Sequence, residues 1–283
     1  YGWVDKESGY RRYQKAYISM ARKNGKSSLI AGIALYELLY GAYPQLDRQI
    51  YCTANSKDQA KLVYKMIVSQ LKKVRNISPG IRKITKIVQN EIRYDNDDSL
   101  LKPLSRDTDN LDGMNVLLGI LDEYHTSATT EMMEVLESSQ GQQPQPLILI
   151  ISTAGFKLNG PMYSQEYPYI KKILSGEEIN DNYFAICYEQ DDIKEINKEK
   201  LWIKSNPLLE VAARKDVMSK NIKKKLTEAR AKNDLGPTVV KNFNMWQNAS
   251  KESFLKGEEW AACAIELEPF ITGKDAYIGV DLS

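Results

Sequence analysis

The sequence predicts an α/β domain built on a mostly parallel sheet, followed by a smaller helix-rich region. Three observations carry this expectation. Short apolar runs alternate with helical patterns through the first half of the chain. Two of those runs, Val116–Leu121 and Leu147–Ile151, are apolar throughout, as strands covered on both faces are. After Gly155 the alternation fades, and Gly160-Pro161 marks a boundary.

Lys15–Met20 reads as the first strand, and Ala21-Arg22-Lys23-Asn24-Gly25-Lys26-Ser27 as the turn that follows it. A helix from about Ser27 to Tyr40, rich in Leu, Ile and Ala, ends at Gly41 and Pro44. Gln49–Thr53 is the second strand. Ser56 or Asp58 caps the next helix, where Ala60, Val63, Tyr64, Ile67 and Leu71 fall on one face. Residues 84–104 read as one β-hairpin or two, with turn chemistry in Asp95-Asn96-Asp97-Asp98. The apolar run Val116–Leu121 ends in Asp122-Glu123, Glu131–Ser138 is helical, and Pro146–Ser152 is a further strand. Residues 161–272 carry one strand near Phe184–Tyr188, and their clearest helix spaces Met218, Ile222, Leu226 and Ala229 on one side. Tyr277–Asp281 begins a new strand.

Composition narrows the class. A chain of 283 residues with 42% hydrophobic and 27% charged residues can bury a sizeable core, which excludes a disordered chain. Its apolar runs are too short to span a bilayer. It opens on Tyr1 with no signal peptide, which leads us to expect a piece of a longer polypeptide. Cys52, Cys187 and Cys263 are an odd, scattered set, so neither a disulfide framework nor a zinc site is expected with His125 as the lone histidine. The net charge of +2 neither demands nor excludes a nucleic-acid partner.

Gly25-Lys26-Ser27 is the end of a phosphate-binding P-loop pattern. The glycine lets backbone N–H groups close around phosphates, the lysine neutralises β and γ oxygens, and the serine hydroxyl ligates Mg²⁺. The helix that follows turns its positive end toward the anion. Met20 stands where the usual signature has its first glycine, and a basic turn capping an αβ unit would carry the same tripeptide. Asp122 and Glu123 lie at the carboxyl end of a strand, the edge where ligands bind in open parallel sheets. In P-loop ATPases the first acid manages Mg²⁺ and the second polarises the attacking water. An acidic helix-capping turn is the alternative for the pair taken alone. The strand Leu147–Ile151 leads into Ser152-Thr153-Ala154-Gly155, a polar tip suited to sensing a γ-phosphate.

Together these residues resemble the large-subunit terminase family of tailed phages, in the branch with an Ala-Arg-Lys-Asn-Gly-Lys-Ser turn. Further matching stretches are Tyr51-Cys52-Thr53-Ala54-Asn55-Ser56-Lys57-Asp58-Gln59-Ala60, Leu104-Ser105-Arg106-Asp107 and Leu111-Asp112-Gly113. Asp122-Glu123-Tyr124-His125, Ile150-Ile151-Ser152-Thr153-Ala154-Gly155 and Asn244-Met245-Trp246 belong to the same pattern.

The resemblance implies an additional-strand, RecA-like P-loop NTPase core over residues 1–160 and a lid over 161–272. Residues 273–283 would be the first strand of an RNase H-like nuclease. There Asp281 would ligate a nuclease metal, and because one carboxylate cannot build a two-metal site, no DNA cleavage is expected of this chain. The resemblance implies ATP as substrate, Mg²⁺ as cofactor, and double-stranded DNA, a portal protein, a terminase small subunit and a homo-oligomeric ring as partners. The setting would be the cytoplasm of a bacterial host. Arg22, Lys23, Asn24, Gly25, Lys26 and Ser27 would bind the nucleotide, with Ser27 and Asp122 on Mg²⁺. Glu123 would be the base, and Ser152, Thr153, Ala154 and Gly155 would couple hydrolysis to motion.

Arg22 sits in the turn and can reach a γ-phosphate in cis, a role worth roughly 10³–10⁵ in rate. Arg106 is the weaker candidate for an arginine acting on a neighbouring subunit, since many members carry a basic residue where this chain has Asp112. His125 either links Glu123 to the coupling segment or packs as an ordinary buried ring. The adenine-reading glutamine of the family lies upstream of the P-loop, where this chain offers only Gln14. Lysine-rich stretches (Lys57 to Arg75, Arg82 to Lys86, Lys223 to Lys225) fit DNA-backbone contact and a solvated helix face equally. A helicase or repair translocase on the same core and a non-hydrolysing scaffold docked to a portal are the rival functions.

Overall fold

The computed structural model describes residues 2–41, 46–54, 56–104 and 113–248. Lys15–Ser19 forms β1 and Lys26–Leu39 forms α1, each within about one residue of the expected boundaries. β2 is Gln49–Ala54, and α2 (Lys57–Ile77) is capped by Ser56, whose hydroxyl accepts from the Gln59 amide at 3.3 Å. A short helix α3 (Pro79–Ile84), not anticipated from the sequence, starts on Ser78 as cap with Pro79 at its first position. Two hairpins then share one strand: β3 (Thr85–Val88), β4 (Glu91–Tyr94) and β5 (Ser99–Leu104).

β6 (Val116–Asp122), α4 (Glu131–Ser138) and β7 (Leu147–Ser152) follow. Beyond Gly160-Pro161 a wide helical turn runs into α5 (Tyr167–Ser175), which leads to β8 (Tyr183–Cys187). Three short 3₁₀ turns precede α6 (Ala212–Ala231) and α7 (Gly236–Phe243).

The sheet among the described residues has eight strands in the order β3-β4-β5-β2-β6-β7-β1-β8. Every pairing from β5 to β8 is parallel, and only β4 runs antiparallel to its neighbours, β3 and β5. β8 lies beside β1, so the sheet itself continues past the sequence boundary at Gly160-Pro161. Register decides where the chemistry falls. Ser19 pairs with Ser152, Ile151 with Asp122, and Asp122 with Ala54, so the exits of β1, β7, β6 and β2 stand abreast.

Alternation splits each central strand between two cores. From β7, Leu147, Leu149 and Ile151 pack with Ile30, Leu38, Ile67 and Leu71 beneath α1 and α2. Its Ile148 and Ile150 face the other way, against Met132, Met133, Leu136, Met162 and Ile170. A third core, Ile196, Trp202, Leu209, Ile222, Leu226, Val239 and Phe243, holds α6 and α7 to the 3₁₀ turns. Among the described residues no helix is long and apolar enough to cross a membrane. Cys52 and Cys187 are free, and Cys263 lies outside the described residues.

Candidate nucleotide site

The turn between β1 and α1 is shaped by two left-handed residues, Lys23 (φ 70°) and Gly25 (φ 84°). At Gly25 a side chain would be strained whatever the space around it. Helix α1 opens with neither a side-chain cap nor an acid in its first turn, which leaves its N–H groups and positive end for an anion. The Lys26 ammonium is buried and donates to the carbonyls of Met20 (2.7 Å) and Ala21 (3.3 Å). Burial draws its pKa down to about 8, against the pull of Glu123 and Asp122.

Asn24 explains how a loop without the usual first glycine keeps its form. Its amide nitrogen donates to the Ala21 carbonyl (3.1 Å) and to Asn206 Oδ1 (2.9 Å), and its oxygen accepts from the Leu208 N–H (3.2 Å). Asn206 in turn donates to the carbonyls of Trp202 and Asn242. Backbone bonds from Ala21 to the Ser205 carbonyl and from Arg22 to that of Lys241 complete the attachment. The turn between β1 and α1 is thus bonded into the 3₁₀ turns and α7.

Across the sheet edge, Asp122 ends β6 and Glu123 takes a left-handed backbone (φ 53°). Such a conformation costs a non-glycine residue roughly 1–2 kcal/mol. It is held by the Glu123 N–H on the Ile151 carbonyl (2.8 Å) and by Thr126, whose N–H and hydroxyl both donate to the Glu123 carbonyl. Burial and then Glu123 push the Asp122 carboxyl up to about 6, with Lys26 opposing. Asp122, Glu123 and Ser27 line one cleft, and their carboxylates and hydroxyl are the hard oxygen donors that Mg²⁺ takes.

Glu123 Oε2 lies 3.2 Å from His125 Nδ1 and 3.5 Å from the Thr153 hydroxyl. His125 Nδ1 also stands 3.1 Å from Ser152 Oγ, while that oxygen accepts from the His125 backbone N–H (3.0 Å). A carboxylate only accepts, so attraction to Glu123 requires the proton on Nδ1. Burial holds the ring neutral, with its pKa brought down to about 4. It therefore orients Glu123 as a dipole and leaves the carboxylate charge intact.

One cleft of about 630 Å³ is lined by Arg22, Lys23, Gly25, Lys26, Ser27, Asp122 and Glu123, with Gln59 and Met66 of α2 on its far wall. Of the residues singled out in the sequence, those of the β1–α1 turn, the start of α1 and the end of β6 therefore share one cleft, whereas Asn24 is not part of its lining. Ser152 and Thr153 stand behind Glu123. Arg22 and Lys23 also border a second cleft of about 360 Å³, toward α6 and α7. Gln14 is not at the site: it lines a separate cleft with Glu166 and Tyr183, at the opposite end of β1. Lys223 pairs with Glu199, and Lys224 and Lys225 with Glu228. Arg106, Asp107, Leu111, Asp112 and Asp281 lie outside the described residues. Sequence reasoning missed the part played by Asn24 and Asn206, and it left Asn244 without a role. The Asn-Met-Trp signal was there, but nothing local says what the asparagine touches.

Comparison with known proteins gives the family and the fold. The family model "Terminase large subunit, ATPase domain" matches residues 1–172. A second, "Terminase large subunit, endonuclease domain", matches residues 177–283. That match corrects the expectation of no nuclease in this chain, which rested on a single recognisable carboxylate in the closing strand: endonuclease-domain sequence begins at residue 177. The large terminase subunit of Enterobacteria phage HK97 is 26% identical over 279 residues, 95% of this chain and 51% of that protein. Protein YmfN of Escherichia coli strain K12 is 27% identical over 175 residues, 61% of this chain and 37% of that protein. The chain thus spans about half the length of the phage relative or less of the other. The crystal structure of the HK97 bacteriophage large terminase superposes with a TM-score of 0.68 at 24% identity, over 83% of this chain and 47% of that one. The fold is that of a P-loop NTPase, and the chain belongs to the terminase large subunit family.

Proposed function

We propose that this chain hydrolyses ATP to ADP and phosphate and that the reaction drives double-stranded viral DNA into a procapsid. The observation that carries the reading is the single cleft joining Lys26 and Ser27 to Asp122 and Glu123. Lys26, Arg22 and the amides of residues 23–27 bind the phosphates, with Arg22 on the γ-phosphate. Ser27 and Asp122 would hold Mg²⁺, whose charge would offset that of the phosphate oxygens. Glu123, kept in place by His125 and Thr153, takes the proton of the attacking water. Ser152, Thr153, Ala154 and Gly155 pass the change on.

The domain division we propose is a core over residues 1–160 and a lid over 161–272, whose strand β8 joins the core's sheet edge and most of which falls under the endonuclease-domain match. Residues 273–283 then form the first strand of the nuclease fold, with Asp281 as a metal ligand. Working partners are DNA, a portal protein, a terminase small subunit and further copies of the chain in a ring, in the host cytoplasm.

Glu123→Gln tests the reading. ATP binding persists while hydrolysis falls by about 10²–10⁴-fold, the usual worth of a general base. Binding without hydrolysis in the unaltered chain would favour the scaffold instead, and hydrolysis that survives the substitution removes Glu123 from its role.

A further inference from the structure

Asn244 follows α7 and is 1% exposed, with a left-handed backbone (φ 54°) that asparagine tolerates well. Its side-chain oxygen accepts from the Ala154 N–H at 2.7 Å. Its nitrogen donates to Ser19 Oγ and to the Tyr188 carbonyl, both at 2.8 Å. One amide therefore ties together the exits of β7, β1 and β8, using an acceptor and both donors. Those exits are where the chemistry sits. Ser19 precedes Met20, whose carbonyl holds Lys26, and Ala154 follows the Ser152-Thr153 pair that faces His125 and Glu123.

Neighbouring contacts leave this joint little slack. The Gln247 N–H donates to the Gly155 carbonyl at 3.3 Å, and Gly155 is wedged between the rings of His125 and Trp246. On the other side α7 accepts from the phosphate turn, through Arg22 N–H on the Lys241 carbonyl at 2.9 Å. The same short element is thus bonded both to the loop that would hold the nucleotide and to the segment that backs the base.

We infer that Asn244 is a positioning residue for hydrolysis. It fixes the tip of β7, and through it His125 and Glu123, at a set distance from the phosphate-binding turn on β1. No other side-chain type supplies one acceptor and two donors at this length from a left-handed backbone. Aspartate lacks the donors and would set a buried charge against the Tyr188 carbonyl. The inference rests on the ATPase reading above.

The test compares the full chain with its Asn244→Gly and Ser19→Ala variants. Glycine keeps the left-handed backbone and deletes all three bonds; alanine at 19 deletes one. Three quantities are measured: kcat and KM for ATP, the affinity of a fluorescent ATP analogue, and amide exchange at Ala154. Asn244→Gly is expected to lower kcat by about ten- to a hundredfold, the scale of a small misplacement of reacting groups, with KM and affinity within about twofold. Ala154 exchange accelerates while the β1 amides stay protected, and Ser19→Ala falls between. An unchanged kcat in Asn244→Gly overturns the assignment, as does a loss in which affinity falls together with kcat. Should the glycine variant not fold, Ser19→Ala decides by the same split. An unaltered chain that never hydrolyses ATP brings down the ATPase reading and this assignment with it, whereas an active chain indifferent to both substitutions brings down the assignment alone.

Discussion

Glu123 Oε2 rests 3.2 Å from Nδ1 of His125, and the ring is buried and neutral. In the role proposed for Glu123, a base for water needs its charge and a fixed direction at once. A buried neutral imidazole supplies the direction without cancelling the charge, which a lysine or arginine in its place would do.

The first prediction follows from that contact. His125→Ala removes the Nδ1–H donor and frees the Glu123 carboxylate to turn. We expect kcat to drop by about ten- to a hundredfold, as for misaligned catalytic groups, with KM for ATP little changed. Steady-state kinetics decide. A raised KM at constant kcat would place the ring in substrate binding.

The same ring sets a pH dependence of stability. Unfolded, His125 takes a proton near its ordinary 6.5; folded, it does so only near 4, because burial disfavours the charge. Between those values the unfolded chain binds more protons, so stability is fully present above about 6.5 and is lost as pH falls toward 4. Asp122 acts in the opposite sense, since its carboxyl is pushed up to about 6 and the folded state gains from its protonation as pH falls below that. The two are separated by difference. Urea unfolding of the unaltered chain and of His125→Gln at neutral pH and near pH 5 should show a shallower acid loss in the variant. An equal slope in both would mean the folded ring titrates normally.

Gly155 offers a steric test. A Cβ there would lie 2.7 Å from His125 Cδ2 and 3.4 Å from Trp246 Cζ3. Gly155→Ala must displace the histidine ring or the strand exit, at a cost of about 1–3 kcal/mol typical of overpacking. A melting temperature lowered by several degrees, about 2–4 °C per kcal/mol for a chain of this size, checks it. No shift in either melting or kcat would show that the ring moves aside freely.

Much of this site was legible because its signals are local. A strand, a Gly-Lys-Ser turn and a helix follow one another within about thirty residues, and Asp122-Glu123 ends a run that is apolar throughout. Strand order was not legible in the same way. β8 pairs with β1 along Lys15–Ser19, yet nothing around Tyr183 says which edge it joins. The asparagine contacts were hidden for a similar reason. Asn24 and Asn206 are 182 positions apart and Asn244 and Ser19 are 225 apart, so their hydrogen bonds leave no periodicity in either segment. Polar side chains that satisfy buried backbone groups look, in sequence, like ordinary turn residues. The small helix α3 was within reach, since Ser78-Pro79 is a helix start, but its single turn carries no stripe to read.

The most direct measurement is a structure of this chain with Mg²⁺ and a non-hydrolysable ATP analogue. The account predicts the γ-phosphate between Lys26 and Glu123, with Ser27 and Asp122 on the metal and His125 still against Glu123. An analogue seated instead in the cleft toward α6 and α7, with Asp122 and Glu123 far from any phosphate, would contradict it.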